Sequence, residues 1–420
     1  MITILTYHKI AWLGEFPTHW RLLRIKNLFQ EMENRSETGS EELLSVSHYT
    51  GVTLKRESLE NEDDHITNAE SLVGYKLVEK QDLVINIMLA WNGSLGISPF
   101  NGITSPAYCV YRIKGNNNPE YFGYLFTTNL FKAEFRRHST GIIDSRLRLY
   151  SDKFFSIFSV VPPKEEQDEI VQHIKAQSDK INLFIQKKQR FIELLKEQRQ
   201  SVIDLAITKG TNANTKLIES GVNWIGKIPQ HWQFRKLKFC VSLNSNEINE
   251  NEISDEVFKI ALENIDNWTG KFIDTGNPKF EGKGVPFKGG DVLFNKLRPY
   301  LAKAFIAKSL GLCVGELLVL SPNAEYFTSE FLFQRLMTSD FIDIVNSSTY
   351  GAKMPRASWN FIGNLKIPIP PIEEQKQIVG DIKTETATID TAISKAEREI
   401  ELIKEYKEAM ISEAVMGKRK

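Results

Sequence analysis

Trp12-Leu13-Gly14-Glu15-Phe16-Pro17-Thr18-His19-Trp20 comes back 212 residues later as Trp224-Ile225-Gly226-Lys227-Ile228-Pro229-Gln230-His231-Trp232. Pro162-Pro163-Lys164-Glu165-Glu166-Gln167 comes back 208 residues later as Pro370-Pro371-Ile372-Glu373-Glu374-Gln375. Between them, Asp82-Leu83-Val84-Ile85-Asn86 matches Asp291-Val292-Leu293-Phe294-Asn295 at an offset of 209. Three ordered matches, each displaced by about half of the 420 residues, mark a duplicated unit. A unit of this length is a domain with its own core, too long for a solenoid repeat.

Each half has the same internal order. Short apolar runs broken by Gly, Asn and Pro come first, and Leu83–Leu89, Tyr108–Ile113, Val292–Asn295 and Leu317–Leu320 have the makeup of strands. Tyr121–Arg137 and Ser329–Val345 have helical periodicity. The Pro pair then closes the domain, and a long Pro-free segment follows in each half, about Glu165–Lys209 and Glu373–Met416. Prolines suit a first helical turn, and a Glu pair there complements the positive end of the helix dipole.

Apolar residues in these segments recur in steps close to three and four. Ile174, Ile181, Phe184, Phe191 and Leu195 form one series, continued by Val202 and Leu205. Ile382, Ile389, Ile393, Ile400 and Ile403 form the other, with Ile378, Ala396 and Met410. This is the pattern of a coiled-coil seam. A domain of about 140 residues separates the helices, so an antiparallel pair with one globular domain at each end satisfies both seams. The expected class is α+β: two homologous α/β domains, each followed by a long helix, with pseudo-two-fold symmetry. The expected divisions are 1–163, helix 164–210, linker 211–223, a second domain 224–371 and helix 372–420.

With 41% hydrophobic and 25% charged residues the composition is that of a folded chain. No apolar run is long enough for a membrane span, and no signal peptide is read at the start. The three cysteines, Cys109, Cys240 and Cys313, fit neither a zinc spacing nor a disulfide framework, so the expected compartment is the reducing cytoplasm. There is no P-loop, no H-E-x-x-H, no C-x-x-C and no Asn/Asp-Pro-Pro-aromatic string. Catalysis and metal binding by this chain are therefore not expected.

The formal net charge is zero, with 53 basic and 53 acidic residues, but the charge is segregated. Residues 31–82 carry 5 basic and 13 acidic residues, 112–153 carry 8 and 4, and 271–308 carry 8 and 3. A solvated face is one reading of the basic stretches. The Gly, Asn, Ser and aromatic residues among them favour contact with nucleic acid. Two constellations supply the candidates. In the first half these are Arg136, Arg137, Ser139, Thr140 and Gly141, followed by Asp144-Ser145-Arg146-Leu147-Arg148, of which Arg146 and Arg148 are candidates. The matching stretch of the second half offers Thr349, Gly351, Lys353 and Arg356, with Gly351 aligned to Gly141 and Arg356 to Arg146. The second constellation is Asn295, Lys296, Arg298 and Tyr300 at the end of a strand; its counterpart Asn86–Trp91 has lost both charges. A glycine loop brings backbone N–H groups close to phosphate, and an Arg fork fits the guanine edge.

In the two G-x-[IF]-P-x-H-W motifs, the run Gly290–Leu301, the two [VI]-P-P-x-E-E-Q helix starts and the endings Ala206–Gly210 and Ala414–Lys418, the sequence resembles the specificity subunits of type I restriction-modification enzymes. The resemblance covers essentially the whole chain. It implies two target recognition domains, each reading one half of a bipartite site in double-stranded DNA, and paired helices that set the spacing. It implies two methylation subunits as partners, with restriction and translocation subunits as further possible ones. S-adenosylmethionine, ATP and Mg are then expected in partner subunits, with none bound by this chain. A coiled-coil scaffold without DNA readout is the alternative; a self-sufficient DNA-modifying enzyme is a third reading, disfavoured by the missing cofactor motifs. The segment before the first Trp-Leu-Gly is shorter than the one before the second.

Overall fold

A computed structural model describes residues 7–55, 71–143, 146–249, 257–276, 278, 280 and 282–418. The chain divides into two units, Met1–Lys187 with Arg398–Lys420, and Lys188–Glu397. Both long helices form, at Lys164–Lys209 and Ile372–Val415. The first gives residues 164–187 to one unit and 188–209 to the other; the second gives 372–397 to the second unit and 398–415 to the first.

Within the first unit a four-stranded antiparallel sheet runs Phe29–Met32, Cys109–Ile113, Leu83–Ile85, Leu95–Ile97. The second unit repeats it as Val241–Asn244, Leu317–Pro322, Val292–Asn295, Ala304–Ile306. Its second sheet pairs Phe258–Ile260 parallel to Gly311–Cys313. Strand Phe158–Val161 leads into the first long helix and pairs with Arg21–Arg24; Lys366–Ile369 leads into the second and pairs with Gln233–Lys236. The expected helix over Tyr121–Arg137 is two helices, Pro119–Phe126 and Asn129–His138. Its partner is also two, Ser329–Leu336 and Ser339–Ser347. The breaks fall at threonines: Thr128 leaves helical backbone and its hydroxyl accepts from Phe131 N, the behaviour of an N-cap, and Thr338 is extended in the same place. The linker is also more ordered than its composition suggested. Leu217–Glu219 pairs with Lys227–Pro229 in a hairpin, with Gly221 and Gly226 at positive φ in its loop. The shorter first segment makes the same hairpin, Tyr7–Ile10 with Gly14–Pro17.

The sequence repeats are bonded to one another. His19 Nε2 donates to Glu166 at 2.8 Å, and His231 Nε2 to Glu374 at 2.7 Å. Gln167 and Gln375 are fully buried. Gln167 accepts from Asn118 N at 2.7 Å and donates to Pro162 O at 2.9 Å; Gln375 accepts from Thr328 N at 3.0 Å and donates to Tyr326 O at 2.7 Å and Pro370 O at 2.9 Å. Each Trp-bearing motif is covered by the end of the helix from the other half. A Cβ on Gly417 would lie 2.7 Å from Pro17, and one on Gly210 3.5 Å from the Trp232 ring; both glycines have positive φ. Tyr121 donates to Val415 O at 2.8 Å. Each unit therefore completes its core with one helix start and the other helix's end.

The helices pair antiparallel in both units. Lys407 Nζ donates to Asn182 in the first at 2.9 Å, and Arg199 Nε to Asp390 in the second at 2.8 Å. Ile174, Ile181, Ile192 and Ile203 are buried on the first helix, and Ile382, Ile393, Ala396 and Ile400 on the second, with Ile389, Ile403 and Leu195 half-buried. Phe184 and Phe191 are corrections: they are 39% and 45% exposed. Steps of three and four from Ile174 lead through Ile181 to Ile185 and Ile192, which leaves both Phe residues one position off the seam.

Candidate nucleic-acid interface

In the second unit, strand Val292–Asn295 ends in a turn made by Asn295. Asn295 is 1% exposed; its side chain accepts from Leu297 N at 2.9 Å and donates to Leu297 O at 2.6 Å. It was expected among the DNA-contacting residues, but burial and its two bonds to Leu297 assign it to shaping the turn. Asn86 does the same in the first unit, accepting from Met88 N at 3.1 Å. Arg298 then sits at φ +50, a left-handed conformation that few non-glycine residues adopt. Its N–H donates to Pro355 O at 2.7 Å, while Ala357 N donates to Lys296 O at 2.9 Å. These bonds join the stretches 295–300 and 347–356, far apart in sequence, into one corner. Arg356 and Tyr350 exchange two backbone bonds, and Gly351 turns the loop at φ +92. Lys353 and Tyr300 are exposed; the Thr349 hydroxyl is bonded to Asn346 O at 2.8 Å.

The Arg356 guanidinium is already engaged. It donates to Glu316 through Nη2 at 2.7 Å and Nε at 3.3 Å, and this carboxylate raises its pKa above the ordinary arginine value. Glu316, on the turn before strand Leu317–Pro322, was not singled out from the sequence. Its signal is only that it precedes an apolar run.

The first unit builds the same corner with different side chains. Leu149 N donates to Ile87 O at 2.9 Å, the counterpart of Ala357 on Lys296. Thr140 and Arg148 exchange two backbone bonds as Tyr350 and Arg356 do. Arg148, rather than Arg146, is thus the structural partner of Arg356, because the first loop is two residues longer. Gly141 is required by proximity, since a Cβ there would lie 2.5 Å from Arg146 O. Arg136 stacks over Trp91 at 5.4 Å, and Arg137 is forked on Glu134 at 2.5 and 2.8 Å, which raises its pKa. The Ser139 hydroxyl donates to Phe135 O, and Arg146 is exposed. Asp144 and Ser145 lie outside the described residues. Among the described residues no group of His, Cys, Asp and Glu could hold a metal ion, and no helix is long and apolar enough to cross a membrane.

The chain thus combines a duplicated α+β unit, two long helices and, in each unit, a loop corner that carries basic side chains. Residues 230–402 match the family model described as the type I restriction modification DNA specificity domain. The Escherichia coli type I restriction enzyme EcoDI specificity subunit is 21% identical over 352 residues, covering 79% of this chain and 77% of that one. The MjaVIII specificity subunit of Methanocaldococcus jannaschii is 26% identical over 450 residues, covering 100% and 98%. A solved chain from a study of complex assembly and conformational transition in a type I restriction-modification system shares the fold, with a TM-score of 0.61 at 15% identity over 96% of this chain and 99% of that one. Along essentially its whole length the chain is similar to specificity subunits of type I restriction-modification enzymes.

Proposed function

We propose that each unit reads one half of a bipartite DNA site, residues of about 21–160 one half and 233–368 the other, and that the paired helices set the unread spacer. The supporting observation is the loop corner: two basic stretches of the second half, separate in sequence, are hydrogen-bonded into one exposed surface, and the first half repeats the plan. Arg136, Arg137, Ser139, Thr140, Gly141, Arg146 and Arg148 serve one half-site; Lys296, Arg298, Tyr300, Thr349, Gly351, Lys353 and Arg356 serve the other. Asn295 shapes its turn. Phosphate contacts fix position and base contacts give sequence.

In this reading the chain is non-catalytic and works with DNA and two methylation subunits. S-adenosylmethionine, ATP and Mg belong to partner subunits, and the complex works in the cytoplasm. Methylome sequencing of cells with and without the gene tests it: a bipartite methylated site should vanish with the gene. Deleting seven residues from both helices in register should shorten the spacer and spare both half-sites. An unchanged spacer rejects the ruler.

A further inference from the structure

The two corners share a backbone plan and differ in the side chains it carries. Because Asn86 and Asn295 close equivalent turns, Leu89 stands where Arg298 stands and Ile87 where Lys296 stands. The second unit's corner is cationic, with Arg298 and the exposed Lys353, whose carbonyl accepts from Arg298 Nη2 at 3.5 Å. The first unit's corner keeps the basic Arg136, Arg146 and Arg148 but also exposes apolar side chains: Leu89 is 39% exposed, Ile142 100% and Ile143 53%. Leaving a whole isoleucine in water forgoes the gain from burying it, roughly 25 cal/mol per Å² of apolar surface. Two adjacent isoleucines on the loop beside the Ile87 turn form a surface that binding would cover.

The major groove offers these side chains different targets. Guanine presents the paired acceptors N7 and O6, which suit arginine or lysine, while thymine presents a C5 methyl group, which suits an apolar side chain. Resting on the half-site reading above, we propose that the first unit recognises its half-site through thymine methyl groups, by Ile142, Ile143 and Leu89. The second recognises guanine N7 and O6, by Arg298 and Lys353.

The test uses the complex of this chain with its methylation subunits and a duplex carrying the methylated site. Exchanging residues 21–160 with those of another specificity subunit assigns each half-site to its unit. Deoxyuridine in place of thymidine removes only the methyl group. In the first unit's half-site it should weaken binding about fourfold per contacted methyl, from roughly 0.8 kcal/mol per buried carbon. 7-Deazaguanine in the second unit's half-site should weaken binding at least about fivefold. Ile142→Ser should lower the thymine–uracil difference by the share of one contacted methyl, about fourfold, and leave the second half-site unaffected; Ile142 is fully exposed, so this variant keeps its fold. Unchanged binding on uracil substitution throughout the first half-site overturns the proposal, as does a first half-site without thymine on either strand. Absence of any sequence-specific binding to the unsubstituted duplex instead overturns the half-site reading itself.

Discussion

The Glu374 carboxylate lies 2.7 Å from His231 Nε2, and its other oxygen accepts from Trp232 Nε1 at 3.1 Å. One side chain at a helix start thus binds both polar groups of the His-Trp motif. Glu166, its counterpart, binds His19 at 2.8 Å, while Trp20 Nε1 is buried without a hydrogen-bond partner among the described residues. Glu374→Ala should therefore destabilise its unit more than Glu166→Ala does, by about 1–2 kcal/mol, because only the former leaves an indole N–H newly unpaired. Thermal unfolding of both variants checks the order; equal losses would reject it.

Gln375 is buried and ties the helix start to Thr328 N, Tyr326 O and Pro370 O. Gln375→Leu keeps similar bulk but strands three backbone groups. A loss of about 2–4 kcal/mol is expected, read as a lowered urea midpoint with an unchanged slope. The same change at Gln167 should cost somewhat less, since it strands two backbone groups, Asn118 N and Pro162 O, and its third partner is the Asn117 side chain.

Ile181 and Phe184 differ in burial despite similar hydropathy. Ile181→Asp places an unpaired carboxylate in the seam and should cost about 3–5 kcal/mol. Phe184→Asp should stay within about 0.5 kcal/mol. Denaturation midpoints decide; a large effect at Phe184 would restore it to the seam.

All three cysteines are buried, and burial raises each thiol's pKa, that of Cys313 to about 12. The thiolate is the nucleophile, so at pH 8 only roughly one Cys313 in ten thousand is reactive. Iodoacetamide should leave the native chain unlabelled and modify all three after unfolding. Raising the pH to 9 should change little. Fast native labelling at any cysteine would mark it as exposed.

The duplication was legible because its markers make the joints of the fold. His19 and His231 bond the turn before the entering strand to Glu166 and Glu374, and Gln167 and Gln375 bond the same helix start to Asn118 and Thr328, the N-caps of a helix in each domain. Residues with such fixed partners persist in both halves, and so appear as repeats. The seam phase was less legible: Phe184 and Phe191 are as apolar as Ile185 and Ile192, and only the register with the other helix selects between them. The corner was legible as two charged stretches but not as one surface, because bonds such as Arg298 N to Pro355 O link residues far apart in the chain. Asn295 was misassigned for a related reason. A buried turn-forming amide and a base-reading amide are the same residue in sequence, and burial alone separates them.

Arg356 and Glu316 are the pair on which the second corner turns. A fork held by a carboxylate at 2.7 Å reaches a guanine only by leaving Glu316 unpaired, and both side chains are partly exposed. Two roles follow. As a positioning residue, Arg356 pins the loop that carries Tyr350 and Lys353, and DNA is met by those side chains. Arg356→Ala and Glu316→Ala should then weaken the second half-site equally, and the double variant should be no worse than either, since both break one interaction. As a direct reader, Arg356 should lose more than about fivefold and only against its own base, while Glu316→Ala should be neutral or tighten binding by releasing the fork. The closed geometry favours positioning. Affinities of the two single variants and the double variant, measured in complex on the native site and on sites altered at one base pair, separate the roles. Tighter binding by Glu316→Ala would overturn positioning.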